Sequence, residues 1–231
     1  MRKKDGRVLL SSLNPKSKIC AVIPFYNEKD FILNVVRETL NYVDEIIAVN
    51  DGSTDLSEKQ IVNLENVYVL NLKSNTGKGR ALQVGFDECV KNNYDIIITI
   101  DGDNQHDPKY ISKLIEILNN FDIAIGNRLM DTKSMPLQRI VSNRLTSFLL
   151  SIKTGQKILD SQCGFRAYKK EVLQNVRSIY SGYEAESEIL IYAARKGFKI
   201  GFVGIPTLYG EEKSKMNPIG AIIGFIKVLF K

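Results

Sequence analysis

Two aspartates separated by one glycine, Asp101-Gly102-Asp103, stand directly after the apolar run Asp95-Ile-Ile-Ile-Thr-Ile100. In an extended segment alternate side chains point the same way, so both carboxylates can face one ion. Three more loops of similar character follow apolar runs: Pro24-Phe-Tyr-Asn-Glu28, Asn50-Asp51-Gly-Ser-Thr-Asp55 and Gly126-Asn-Arg128. Acids gathered around one crevice repel one another unless a cation neutralises them, and hard oxygen ligands suit Mg2+ or Mn2+. Such an ion would neutralise a diphosphate and help it leave in a displacement at carbon. Acidic loops are common, so the triplet alone says little. Its place after a wholly apolar strand, beside three similar loops, gives it weight.

The elements that must position these loops can be read from periodicity. Short β-branched runs at 18–24, 44–50, 67–70, 95–100 and 123–125 read as buried strands. Asp30 is placed to cap a helix carrying Phe31, Val35, Val36 and Leu40; residues 78–92 form a second helix, and Pro108 opens a third. Strand and helix alternate from 18 to about 126, which predicts a single α/β domain. Its sheet is mostly parallel and flanked by helices, with the functional loops at the carboxyl ends of the strands. Further on, 136–153 reads as an amphipathic helix with Leu137, Ile140, Val141, Leu145, Phe148, Leu149 and Ile152 on its apolar face. A helix at 184–196 and a strand at 199–206 follow it. The stretch 219–230 is apolar on nearly every side except Lys227, but a twelve-residue helix reaches only about 18 Å. It can lie on a membrane, pack on a partner or complete the domain's own core. The division expected is a basic tail at 1–17, a catalytic domain at 18–212, and a basic loop with an apolar helix at 213–231.

Composition narrows the classes. With 231 residues, 44% hydrophobic and 25% charged, the chain is sized for one substantial core. No run is long enough for a spanning helix, and the first residues lack the apolar core of a secretory signal. These features predict a cytoplasmic protein. Cys20, Cys89 and Cys163 show no CxxC spacing, which argues against a disulfide framework or a cysteine zinc site. Of the net +6, residues 1–18 carry +5 and residues 213–231 carry +4, so the body is −3. A nucleic-acid binder shows a basic stripe across its body. Charge at the two ends suits an anionic membrane surface or a phosphorylated ligand, or simply solubilises the tails.

The ordered segments VIPFYNE (22–28), VNDGSTD (49–55), NTGKGRAL (75–82), TIDGDNQHDP (99–108), IGNR (125–128), DSQCGFRAY (160–168) and YGEEKSKMNP (209–218) carry a resemblance. The sequence resembles the family-2 inverting glycosyltransferases of GT-A fold, and among them the enzymes that glycosylate polyprenyl (dolichyl or undecaprenyl) phosphate. The resemblance implies that Pro24, Tyr26 and Glu28 line the nucleotide pocket, with Asp51 near base and ribose. It implies that Asp101 and Asp103 hold the divalent metal and the diphosphate, with Gln105 as a further ligand, and that Arg128 faces the phosphates. Asp160, Gln162 and Arg166 fall on the sugar and acceptor side, and Lys213 and Lys215 on a loop closing over the diphosphate. The implied partners are a UDP- or GDP-linked sugar and a polyprenyl phosphate, met at the cytoplasmic face of a membrane. Where the dolichyl-phosphate mannose synthases commonly have an arginine before the late lysines, this chain has Thr207-Leu208-Tyr209, which weakens any inference of mannose as the sugar.

Several residues also have plainer readings. Tyr26 can be a core aromatic, Glu28 a helix-start acid and Asp51 a turn cap. Gly77-Lys-Gly-Arg80 lacks the spacing of either common phosphate loop and reads as a turn opening a helix, with Lys78 near the nucleotide. His106, the only histidine, is expected to order its loop by hydrogen bonding, and Cys163 to pack. Glu186 and Glu188 either touch the site or solvate their helix. The chain lacks the carboxylate base that many relatives use on sugar hydroxyls. That favours an acceptor that is already anionic, with Arg139 and Arg144 as its phosphate ligands. A transferase acting on a soluble or cell-surface glycan keeps the same fold and metal. A sugar nucleotidyltransferase would need a glycine-rich loop where Phe25-Tyr-Asn-Glu28 stands. A non-enzymatic nucleotide-binding module is the remaining reading. Asp103→Ala is expected to abolish metal-dependent transfer or hydrolysis of a nucleotide sugar, measured as released nucleotide; unchanged turnover would point to another centre.

Overall fold

In the computed structural model, residues 17–130, 132, 135–206 and 218–230 are described. The apolar β-branched runs become strands. β1 (Ile19–Phe25), β2 (Glu45–Asn50), β3 (Val67–Asn71), β4 (Ile96–Thr99) and β5 (Ile123–Asn127) match the five expected runs within two residues. β1 pairs in parallel with β2 on one side and β4 on the other, and β2 pairs with β3. Chain order thus reverses direction across the sheet at β1, which opens a crevice at the carboxyl ends of β1 and β4. The 24–28 loop and Asp101-Gly-Asp103 leave the sheet side by side there. A Cβ on Gly102 would lie 3.1 Å from the Phe25 Cβ, so the two loops touch.

Two elements escape the alternating pattern. β6 (Arg166–Lys169) inserts antiparallel between β4 and β5, and α5 (Lys170–Asn175) follows it at once. The sheet closes with β7 (Ile200–Gly204), giving the order β3-β2-β1-β4-β6-β5-β7. Because β6 runs backwards, its amino end lies at the edge where the other strands end. Thr99 of β4 pairs with Arg166, and the Thr99 hydroxyl donates to the Gly164 carbonyl at 2.7 Å. Segment 160–165 is thereby delivered to the same crevice.

The flanking helices are α1 (Ile32–Thr39), α2 (Lys78–Lys91), α3 (Ile111–Ile117), α4 (Leu137–Thr154), α6 (Glu184–Arg195) and α7 (Pro218–Leu229). Two expectations need correction. Phe31, not Asp30, is the N-cap residue of α1, and no side chain bonds there. Pro108 opens a single tight turn capped by Asp107, whose carboxylate accepts from Lys109 N–H, and α3 begins only at Ile111. The apolar face of α4 points outward: the buried residues of this helix are Asn143, Ser147 and Leu150, because the loop beneath it is polar. The C-terminal stretch is helical and packs on α6 and α4. Val228 is buried there while Phe230 is exposed. The basic tail lies outside the described residues up to position 16. All three cysteines are free and buried.

Helix α2 approaches β1 through a glycine. A Cβ on Gly85 would stand 2.3 Å from Val22 Cγ1, whose residue is wholly buried. Gly85→Val is therefore expected to cost about 1–3 kcal/mol through overpacking. The check is a lower denaturant midpoint with an unchanged m-value.

Candidate functional site

The Asp101–Asp103 loop leaves β4 and is held from two sides. Asn104 takes a left-handed backbone (φ 61°), which asparagine tolerates better than most residues, and its Oδ1 accepts from Asn34 of α1 at 3.1 Å. The Gln105 N–H bonds Asp103 Oδ1 at 3.1 Å. Burial and the neighbouring charge of Asp101 push the Asp103 carboxyl up to about 7, and Glu28 adds to the effect. This surplus of negative charge is the first sign of a place for a cation.

Asp101 already has one. Lys78, at the first turn of α2, puts its ammonium 2.7 Å from Asp101 Oδ1 and 3.1 Å from Glu186 Oε2. Burial alone would discharge this amine, but the two carboxylates outweigh it and hold its pKa above the ordinary range. Conversely, Lys78 overcomes the burial of Asp101 and keeps that carboxyl ionised. Close backbone approach makes the contact possible. A Cβ on Gly164 would strike both Asp101 Oδ2 and Lys78 Nζ at 2.6 Å, and one on Gly77 (φ 102°) would strike the Ser181 carbonyl at 2.5 Å. Tyr183 lies within the field of the same charges: burial, with Asp101, Glu186 and Asp103, raises its hydroxyl pKa against the pull of Lys78. Sequence reasoning missed Gly164 and Tyr183. The only signal for either was its place inside a quoted motif or beside an acidic run.

Across the crevice, Arg128 follows β5 and is clamped by Asp160. Arg128 Nε donates to Oδ2 at 2.8 Å and its terminal nitrogen to Oδ1 at 3.0 Å, a bidentate pair. Asp160 is wholly buried, also accepts from Asn143 Nδ2 at 2.8 Å and from two backbone N–H groups, and stays ionised because these partners outweigh burial. Arg166 lies beneath this wall at 0% exposure. Its guanidinium donates to the carbonyls of Cys163, Glu186 and Ser161 at 2.7, 3.0 and 3.0 Å. It thus fixes the 160–166 turn from below. Gln162 reaches Thr146 of α4 at 3.2 Å from an exposed position.

On the other flank, the β1 and β2 loops are stitched together. Asn27, also left-handed, receives the Thr54 N–H at 2.7 Å, and its own N–H donates to Ser53 Oγ at 2.9 Å. Tyr26 and Glu28 are half-buried beside them, with Pro24 buried behind. Asp51 is 4% exposed and engages the next loop through both oxygens, accepting from Thr76 N–H and hydroxyl and from Gly77 N–H at 2.8–2.9 Å. It anchors the entry to α2 and so aims Lys78.

The remaining expectations divide. His106 is buried and stacked on Phe165 at 5.4 Å, and among the described residues its Nδ1 has no hydrogen-bond partner, so this ring joins the loop by stacking and not through Nδ1. Burial drives its pKa down to about 4, which leaves the ring neutral. Cys163 is buried with its thiol pushed up to about 12, as a packing residue requires. Glu186 and Glu188 are both buried, and neither solvates α6; Glu188 pins residues 178–179 through Ser178 Oγ and Ile179 N–H. Arg139 and Arg144 are exposed on α4. Lys213 and Lys215 lie outside the described residues.

A divalent cation fits this donor set. Among the described residues no three His, Cys, Asp or Glu side chains close a cage. Mg2+ typically uses one or two carboxylates and takes its other oxygens from water and ligand phosphates. Asp103, crowded by like charge, with Asp101 beside it, offers that pair.

Known proteins resemble this chain in sequence and in fold. The family model described as "Glycosyl transferase family 2" matches residues 20–177. A UDP-N-acetylglucosamine–dolichyl-phosphate N-acetylglucosaminyltransferase of Methanococcus voltae is 33% identical over 92% of this chain and 94% of that protein. A polyprenol monophosphomannose synthase of Mycolicibacterium smegmatis is 27% identical over 90% of this chain and 84% of its own. Among solved structures, glucosyl-3-phosphoglycerate synthase from Mycobacterium tuberculosis in complex with UDP superposes with a TM-score of 0.72 at 22% identity, covering 93% of this chain and 81% of that one. The same enzyme with Mn2+, UDP and glucosyl-3-phosphoglycerate gives a TM-score of 0.70. The structural likeness shows a shared GT-A fold, and the sequence match, spanning more than half of the chain, shows that this protein belongs to glycosyl transferase family 2.

Proposed function

We propose that this glycosyltransferase moves one sugar from a nucleotide diphosphate sugar to a polyprenyl phosphate, with inversion at the anomeric carbon. The observation that carries the acceptor is the wall at 128 and 160–166. It presents a guanidinium, and its one carboxylate, Asp160, has both oxygens engaged by Arg128, with Asn143 and two backbone N–H groups as further donors. A sugar hydroxyl needs a base to take its proton; a lipid phosphate arrives ionised and needs only to be held. The dolichyl and polyprenol acceptors in the names of the relatives support the same class.

In this reading Pro24, Tyr26, Glu28 and Asp51 form the nucleotide side, and Lys78, Lys213 and Lys215 serve the diphosphate. Asp101 and Asp103, with Gln105 beside them, would hold Mg2+ or Mn2+, which neutralises the departing diphosphate. Arg128 orients the acceptor phosphate, whose oxygen attacks the anomeric carbon as the bond to the diphosphate oxygen breaks. Arg166 holds the 160–166 turn in place from beneath. A UDP- or GDP-linked hexose or N-acetylhexosamine fits these roles equally. The protein would work peripherally at the cytoplasmic membrane face, and no helix among the described residues is long and apolar enough to cross the bilayer.

Arg139 shares a face of α4 with Asn143, four residues on, and Asn143 touches Asp160. Replacing Arg139 and Arg144 together by alanine should raise the KM for a short-chain polyprenyl phosphate roughly tenfold or more, with the donor KM unchanged. An unchanged acceptor KM removes both from the acceptor site. If wild-type protein transfers sugar to a soluble glycan and to no polyprenyl phosphate, the acceptor class is wrong.

A further inference from the structure

Helix α4 is built inside out. Leu137, Val141, Leu145, Phe148 and Ile152 recur every three or four residues and are 57–74% exposed. The opposite face is polar. Asn143 bonds Asp160, Ser147 accepts from Ser161 N–H, and Ser151 accepts from Ile158 N–H, each at 2.8–2.9 Å. These bonds fix the rotation of the helix, so the apolar stripe cannot turn inward without stripping buried polar partners from the 158–161 loop. Helix α7, packed on α4, also exposes apolar side chains: Ile223 and Ile226 are about half exposed and Phe230 is 83% exposed.

The charges along α4 select what covers it. The helix carries Arg139, Arg144 and Lys153 and no acid, and the only charge in α7 is Lys227. Arg144 lies three residues after Val141 and four before Phe148, within the apolar stripe itself. An apolar face edged only by cations complements an anionic lipid surface, acyl chains meeting the stripe and headgroup phosphates the arginines. A second copy fits poorly, because a two-fold pairing of this face sets like arginines together with no carboxylate on the helix to answer them.

We infer that α4 docks this protein onto an anionic bilayer through the face bearing Leu137, Val141, Leu145, Phe148 and Ile152. One helix then touches lipid on one side and builds the Asp160–Arg128 wall on the other. The crevice is held about one helix diameter, ~10 Å, from the headgroups. The purpose of this placement rests on the polyprenyl-phosphate reading; the docking itself does not.

The chain has no tryptophan, so Phe148→Trp supplies a single probe in the stripe. Its emission is expected to shift to the blue on adding mixed phosphatidylcholine–phosphatidylglycerol vesicles, and less so with phosphatidylcholine alone. In co-sedimentation, the full chain carrying Val141→Glu and Leu145→Glu should partition to the mixed vesicles about tenfold more weakly or worse. It should keep its thermal midpoint and its transfer to a short-chain, water-soluble polyprenyl phosphate. Vesicle binding by wild-type protein that transfers to no polyprenyl phosphate supports docking and sinks the function reading alone. An unmoved tryptophan emission, or equal partitioning of wild type and double variant, overturns the docking. So does a wild-type dimer that the double variant turns into a monomer, which would assign the face to a second copy.

Discussion

Negative charge concentrated at one edge of a sheet must be balanced, and the Lys78 ammonium is the internal answer to it. It stands between Asp101 and Glu186 in a largely buried setting, where an unpaired ion would be costly. Much of the local architecture follows from getting that amine into place. Asp51 grips the Thr76–Gly77 backbone at the entry to α2, and Gly77, Gly79 and Gly164 remove the side chains that would keep neighbouring segments apart. The second pair, Arg128 with Asp160, repeats the device on the opposite wall. Among the described residues Asp103 has no such partner, and burial together with the charge of Asp101 raises its carboxyl pKa. The two aspartates of the triplet are therefore unequal: Asp101 is neutralised by Lys78, and Asp103 is not.

The parts of this picture that sequence made legible are those in which a single segment carries its own signal. Five parallel strands announce themselves as apolar β-branched runs, and the acidic residues at their ends mark the functional edge. What stayed hidden depends on partners far away in the chain. β6 reads as polar because it begins with Arg166, yet that arginine is wholly buried, its charge accommodated by carbonyls from residues 161, 163 and 186. The orientation of α4 stayed hidden for the same reason. An apolar stripe is normally taken to face the core, but Asn143, Ser147 and Ser151 have polar partners waiting in the 158–161 loop. His106 looked like a hydrogen-bonding residue, and the ring of Phe165 that it stacks on lies 59 positions away.

The same distinction separates residues whose polar atoms are engaged within the protein from those that face the crevice. Asp51, Asp160 and Arg166 all belong to the motifs that carry the family resemblance, and all three have their polar atoms engaged by the protein. Their motif positions reflect the need to hold Lys78, Arg128 and the 160–166 turn at fixed points, since small misplacements at a reacting centre are costly. Tyr26, Glu28, Asp101 and Asp103 are only partly buried and line the crevice itself. Under the proposed function, sugar donor and acceptor phosphate are gripped from two walls by these charges.

On the proposed function, a divalent cation at Asp101 and Asp103 joins the donor's diphosphate to the protein. Calorimetric titration of UDP- and GDP-linked sugars into the full chain, once with Mn2+ and once with a chelator, tests it most directly. At least one donor is expected to bind with Mn2+ present and to bind about tenfold more weakly or worse without it. A donor that binds equally well in chelator, or the failure of every donor to bind in Mn2+, would contradict it.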